Sequence, residues 1–289
     1  MPFFRQTLPK LVKRFVLWCL KAVGAVLALY LVLIALGFLL FRQYAPQLPE
    51  QGILVIDVEQ GWVEAPAPRS PLFDFVPLGR AFPGTEAPHS LLQTVEALHR
   101  AKTDRRITGL LVTGDLSQAP VNRIGMAGVL ELGAAIRTFG EVKPTYAYLK
   151  NPGLQDLLLA AHCRERMMAP QGEAFFAGLA AESIFFAEAF ERIGIGIQTV
   201  RMGSHKSAVE PFTRTGFSSE ARAQQERLVE ALWNGVLEHL VASTGLERTR
   251  FEQWASGRGF VRPEAVARSG FARQLDYAAL LERLVEEAG

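Results

Sequence analysis

The sequence predicts an α/β protein: mainly parallel strands joined by crossover helices, then a helical C-terminal part, with one transmembrane helix ahead of both. Three observations predict it. From residue 52 to residue 202, short apolar runs rich in Val, Ile, Leu and Tyr alternate with segments of helical spacing. That order implies parallel pairing through right-handed crossovers, and parallel strands covered on both faces read as unbroken apolar runs. After Phe212 only helical spacing remains. Ahead of everything, Ala22 to Phe41 is a run of 20 residues without a charge. As a helix it is about 30 Å long, enough to cross a hydrocarbon core.

The N-terminal segment carries its own charge signature. Residues 1–42 hold Arg5, Lys10, Lys13, Arg14, Lys21 and Arg42 and no acid. Five of these precede the apolar run, so the positive-inside rule keeps residues 1–21 in the cytoplasm and sends the body across the membrane. A cleaved signal peptide would have a shorter apolar region and a small-residue cleavage site behind it. Arg42-Gln43-Tyr44-Ala45-Pro46 offers none, and Trp18 and Tyr44 flank the span where interfacial aromatics belong. The reading is an uncleaved single-pass anchor over 22–41, with the body on the far side of the membrane from residues 1–21.

The remainder, 43–289, has 25 basic and 29 acidic groups. A mildly acidic body without a basic stripe argues against a nucleic-acid partner. Cys19 and Cys163 are far apart and the five histidines are scattered, so no disulfide framework or metal-ligand spacing is visible and no cofactor is expected.

In chain order, 42–51 is a linker and Gly52–Val58 a buried strand. Residues 61–88 are a proline-rich loop. Ser90 caps a helix reaching Lys102 on the spacing of Leu91, Leu92, Val95 and Leu98. Ile107–Thr113 is a strand. Val121–Phe139 is a helix, Pro144–Leu149 a strand, Gly153–Cys163 a helix and Arg166–Ala169 a short strand. A helix over 186–193 leads to a strand over Ile197–Met202, which delivers the segment Gly203–Phe212. Residues 52–212 form the α/β repeat, and 213–289 form a helical part of the same domain. Ser218 caps a long helix to Ser243, with Leu228, Leu232, Val236 and Leu240 along one face. Shorter helices follow at 246–255, 263–269 and, capped by Asp276, 277–287.

One residue in this pattern carries chemistry. Beyond residue 42 the chain has 21 arginines but only four lysines: Lys102, Lys143, Lys150 and Lys206. Arg does not lose its proton in a protein, whereas Lys can. A lysine directly after a strand of an α/β sheet is therefore a candidate general base, since sites gather at the carboxyl ends of such strands. To act near pH 7 its pKa must fall from about 10.4 to about 7, roughly 4.6 kcal/mol of disfavoured charge, through burial or a positive neighbour.

The segment Gly203-Ser-His-Lys206-Ser207-Ala-Val-Glu210-Pro211-Phe212 resembles the lysine motif of the signal peptide peptidase A (SppA) family of serine–lysine membrane peptidases. The resemblance extends over the helix after Ser90, Ile107–Val112, Lys143-Pro144, Met168–Gly172 and the long helix after Ser218. His205 stands where similar motifs often carry an aromatic residue. The resemblance implies a crotonase-like (ClpP-like) repeat and an oligomer, a tetramer on the family pattern. It also implies hydrolysis of signal peptides or other membrane-proximal peptides. Lys206 inherits the general-base position. Gly203, Ser207, Glu210, Pro211 and Phe212 support it, with Ser207 placed to hydrogen-bond the lysine.

The nucleophile does not carry over. One-repeat members place a serine in a Ser-Gly-Gly-like turn opening the helix after the strand that here is Pro144–Leu149. That turn reads Asn151-Pro-Gly-Leu154-Gln-Asp156, with Leu154 at the serine's place. In the two-repeat form the second repeat supplies the serine, and this chain looks like the first repeat. Two readings follow: the lysine-bearing half of a peptidase completed by a second repeat, or a non-catalytic membrane-anchored scaffold or peptide-binding oligomer.

Overall fold

A computed structural model describes residues 18, 20–37, 50–65, 88–200, 202 and 206–288. The chain divides into two units, Met1–Glu50 and Gln51–Gly289. In the first, helix α1 holds an 18-residue stretch, Leu20–Gly37, long and apolar enough to cross a membrane, with its side chains exposed. This matches most of the expected anchor; 38–41, Tyr44 and the linker to residue 49 lie outside the described residues.

The second unit is built on a parallel sheet. Strand β1 (Gly52–Asp57) is followed by β2 (Trp62–Val63) and β3 (His89–Ser90), which pair with each other in parallel. They pin the two ends of the proline-rich loop, whose residues 66–87 are outside the described set. Ser90 caps helix α2 (Leu91–Ala101) by accepting a hydrogen bond from the Gln93 N–H. Next come β4 (Ile107–Thr113), helix α3 (Met126–Gly140), β5 (Thr145–Leu149), helix α4 (Leu154–Ala160) and β6 (Glu165–Met168). Short strand β7 (Ala174–Phe175) and helices α5 (Ala187–Arg192) and α6 (Glu210–Thr213) lead to the long helix α7 (Ser219–Thr244). The chain closes with α8 (Arg248–Ser256), β8 (Phe260–Val261), α9 (Pro263–Ser269), β9 (Arg273–Gln274) and α10 (Tyr277–Ala288). The main sheet has the order β1-β4-β5-β6-β9, all parallel.

Its two faces explain the unbroken apolar runs. Leu110, Val112, Ala147, Leu149 and Met168 turn to the face covered by α2, α3 and α4. The alternate residues Leu111, Tyr146, Tyr148 and Met167 turn to the other face, where Leu280 and Leu284 of α10 close the layer. Behind α4, Phe176, Phe251, Trp254 and Phe271 pack edge-on under the C-terminal half of α7, with centroids 5.5 to 6.4 Å apart.

Three expectations need correction. The helix expected from Val121 begins at Met126. Residues 121–123 are instead held in an extended bridge, because Trp62 N–H donates to the Val121 carbonyl and Arg123 N–H to that of Trp62. The strand expected over Ile197–Met202 is absent among the described residues of that span, and Val200 is fully exposed. The sheet position beside β6 is taken by β9, through Met167↔Arg273 and Met168↔Gln274. On α7, Val236 and Leu240 are buried as expected, but Leu228 and Leu232 stand 52% and 54% exposed. Only the second half of that helix reaches the core.

Candidate active site

Lys206 lies between the exposed residues that follow α5, 193–200, and the single turn of α6. The sequence suggested that it leaves a strand of the sheet; the described residues of 197–202 form none. Gly203 and His205 fall outside the described residues. Lys206 itself is exposed, Ser207 half-buried and Phe212 exposed.

What orders the segment begins just after the lysine. The Glu210 N–H donates to the Ser207 carbonyl at 2.9 Å, closing a turn. Glu210 is 1% exposed. Its carboxylate accepts the Ser218 N–H at 2.9 Å and the Ser218 hydroxyl at 2.6 Å. The Ser218 oxygen in turn accepts the Ala221 N–H at 3.2 Å and so caps α7. On the other side the Pro211 carbonyl accepts the Phe186 N–H at 2.7 Å, and Phe212 stacks on the Phe186 ring at 6.3 Å. Glu210, Pro211 and Phe212 thus make two sets of contacts, one to α7 and one to the start of α5.

The turn that carries the nucleophile in one-repeat relatives has a different character. It sits at the carboxyl edge of β4 and β5. Gly114 (φ +92°) leaves β4 where a Cβ would stand 2.5 Å from Asp57 Oδ1, and this places Asp115 under the turn. Asp115 Oδ2 accepts the Asn151 N–H at 3.0 Å. Asp156 accepts the Leu116 N–H at 2.7 Å and the Gly153 N–H at 2.8 Å. Glu59 Oε1 takes the Asp115 N–H at 3.3 Å and the Lys150 ammonium at 3.0 Å. Burial raises both aspartates, Asp156 to about 7, and the bond to Glu59 raises Lys150.

An oxyanion is stabilised by backbone N–H groups that are free to point at it. Here the N–H groups of Asp115, Leu116, Asn151 and Gly153 already meet carboxylate oxygens. Leu154, half-buried against the core, has no nucleophilic atom. This turn therefore lacks the attacking group at Leu154, and four of the nearby N–H groups are already engaged. The carboxylates of Asp115 and Asp156 were not singled out in the sequence. Their only signals are an Asp after a Gly at a strand end and an Asp in the first turn of a helix. Among the described residues no group of three or more His, Cys, Asp or Glu could hold a metal ion.

A parallel α/β core followed by a lysine segment is what the resemblance to the SppA family implies, and the family match defines the class as a serine peptidase type. The chain belongs to peptidase family S49, whose family model matches residues 137–288, a span including Leu154, Lys206 and α7. It is similar to Protease 4 of Salmonella typhi, 29% identical over 198 residues, covering 67% of this chain and 31% of that protein. It is also similar to the chloroplastic serine protease SPPA of Arabidopsis thaliana, 27% identical over 189 residues, covering 65% and 27%. The chain spans about a third or less of the length of these relatives. Solved structures similar to it include a membrane-bound stomatin-specific protease (12% identity, TM-score 0.42, 81% of this chain and 84% of that one). An enoyl-CoA hydratase/isomerase family protein from Silicibacter pomeroyi is another (16% identity, TM-score 0.38, 68% and 69%).

Proposed function

We propose that this chain is the lysine-bearing, first-repeat part of a membrane-anchored serine–lysine peptidase that hydrolyses cleaved signal peptides. Lys206 is the general base, and the serine nucleophile comes from a second repeat, in the same polypeptide or in another chain. The observation that carries the reading is the lysine motif itself, inside the span that matches the peptidase family. In the reaction a neutral Lys206 amine takes the proton of the incoming serine hydroxyl as its oxygen attacks the peptide carbonyl. The resulting ammonium then gives a proton to the leaving amine.

The exposure of Lys206 bears on how this chemistry is switched on. A lysine acts as a base near neutral pH only when burial or a positive neighbour disfavours its charged form. In this chain the side chain is open to solvent. The repeat that brings the serine must therefore also cover the lysine, so nucleophile and activated base arrive together. Assembly into an oligomer, a tetramer on the family pattern, would supply that cover. The anchor puts the site beside the outer face of a bacterial cytoplasmic membrane, where released signal peptides reside.

A second reading has its own support. The turn with Leu154 at the serine's place, in which the Asn151 and Gly153 N–H groups are taken up by carboxylates, suits a non-catalytic scaffold or peptide-binding oligomer. Peptidase assays with and without a second-repeat partner, on wild type and Lys206→Ala, separate the two. The peptidase reading expects hydrolysis only with the partner, and its loss by about 10²-fold or more in Lys206→Ala. Hydrolysis that survives the substitution removes Lys206 as base. No hydrolysis with the partner leaves the scaffold.

A further inference from the structure

We propose that Glu210 is the positioning residue of the lysine segment, acting through Ser218; this rests on the reading of Lys206 as general base. A carboxylate is almost never fully buried without partners, because leaving water is costly. Glu210 is 1% exposed, and its oxygens accept both the backbone N–H and the hydroxyl of Ser218, at 2.9 and 2.6 Å. Capping α7 does not require this carboxylate, since the Ser218 oxygen already accepts the Ala221 N–H. What the carboxylate adds is a pair of charge-assisted bonds, the strong kind, between the lysine segment and the first turn of a 26-residue helix. Its charge also faces the helix end that the dipole makes positive.

The link to the lysine is short. The Glu210 N–H holds the Ser207 carbonyl, and Ser207 is the residue after Lys206. The Arg214 N–H holds the Glu210 carbonyl at 2.9 Å, closing the turn from the other side. An exposed lysine would otherwise sample many positions. A displacement of about 1 Å in a catalytic group can cost on the order of 10²-fold in rate. Glu210 thus limits where the amine can be, and α7 is the body it is measured against.

The test uses the full chain with Glu210→Ala, Glu210→Gln, Ser218→Ala and the Glu210→Ala/Ser218→Ala pair. The first readout is the rate of tryptic cleavage after Lys206 under native conditions, followed by mass spectrometry, with cleavage after Lys102 and Lys150 as references within the chain. Glu210→Ala is expected to speed cleavage after Lys206 about tenfold while the reference sites stay slow. Ser218→Ala should act less strongly, and the pair should be no faster than Glu210→Ala alone. The second readout is peptide hydrolysis with the second-repeat partner. In Glu210→Ala kcat falls about tenfold or more at unchanged KM. Glu210→Gln, which has the same shape and keeps one acceptor, recovers part of both readouts.

An unchanged Lys206 cleavage rate in Glu210→Ala overturns the clamp. Faster cleavage with unchanged kcat overturns the positioning role. If Glu210→Ala is cut everywhere at once, the chain has unfolded, and Glu210→Gln with Ser218→Ala decide by the same two criteria. If Lys206→Ala leaves hydrolysis intact, the general-base reading fails instead, and the clamp is then judged by the tryptic rate alone.

Discussion

At the residue scale, two buried ionisable groups pull stability in opposite directions with pH. His162 follows α4 and packs so closely on α3 that a Cβ on Gly133 would stand 2.2 Å from its ring. Its Nδ1 is 3.5 Å from the Ser243 hydroxyl of α7, and its Nε2 has no hydrogen-bond partner among the described residues. Burial, with the positive charge of Arg137, lowers its pKa to about 4. Asp156 moves the other way, to about 7, because burial outweighs the N–H groups it accepts. Between about pH 4 and 6.5 the unfolded chain binds the histidine proton and the native one does not, so this group makes stability rise with pH. Between about 4 and 7 the native chain holds the Asp156 proton and the unfolded one does not, so stability falls with pH. Each effect is on the order of a few kcal/mol, and they offset. The wild-type profile across pH 4–7 is therefore expected to lie between those of variants that remove one group or the other. His162→Gln should then lose stability as pH rises, and Asp156→Asn should gain it. Denaturation midpoints at intervals across this range check it, and two flat variants would refute it.

At the scale of elements, what the sequence revealed depended on whether an element carries its own signal. β4 and β5 were legible because both faces are buried and every residue is apolar or small. The starts of α2 and α7 were legible because Ser90 and Ser218 accept N–H groups as helix caps do. β9 was not, since Arg273 and Gln274 are a strand only through the ladder that β6 offers. The stretch 197–202 failed in the opposite sense: its apolar residues read as a strand, but the described ones are exposed and pair with no other strand. The lysine motif was legible as local sequence, whereas the Ser218 end of its clamp needed the fold. α10 is the element on which the second face of the sheet depends. Its Leu280 is fully buried against Leu111, Tyr148 and Met167, and Arg283 grips Glu165 of β6 at 2.8 and 2.9 Å. Leu280→Ala should lower stability by about 2–5 kcal/mol. Arg283→Ala, a partly exposed pair, should cost about 1 kcal/mol or less. Urea unfolding of the two variants gives the ranking, and equal effects would mean that α10 is held by charge and not by its apolar face.

At the scale of the whole molecule, there is apolar surface that the described residues leave uncovered. All of 191–200 is exposed, including Ile193, Ile195 and Ile197, and so are Leu228 and Leu232 of α7. Contiguous apolar exposure of this kind marks a surface for another protein or a membrane. The proposed second repeat and the bilayer compete as explanations, and the anchor distinguishes them. If α1 alone holds the protein at the membrane, the exposed stretch is free to receive the repeat that completes the site. The body has its own core and sheet, so a chain lacking 1–50 retains what folds it. We expect the intact chain to stay with membranes through alkaline carbonate extraction and the chain lacking 1–50 to move to the soluble fraction. Added to a second-repeat chain, that soluble body should still form a complex and protect 191–200 from hydrogen exchange. If the shortened chain instead remains on lipid vesicles, with 191–200 protected by them, the apolar stretch is a membrane-docking surface. The cover for Lys206 would then have to come from the lipid face rather than from a second repeat.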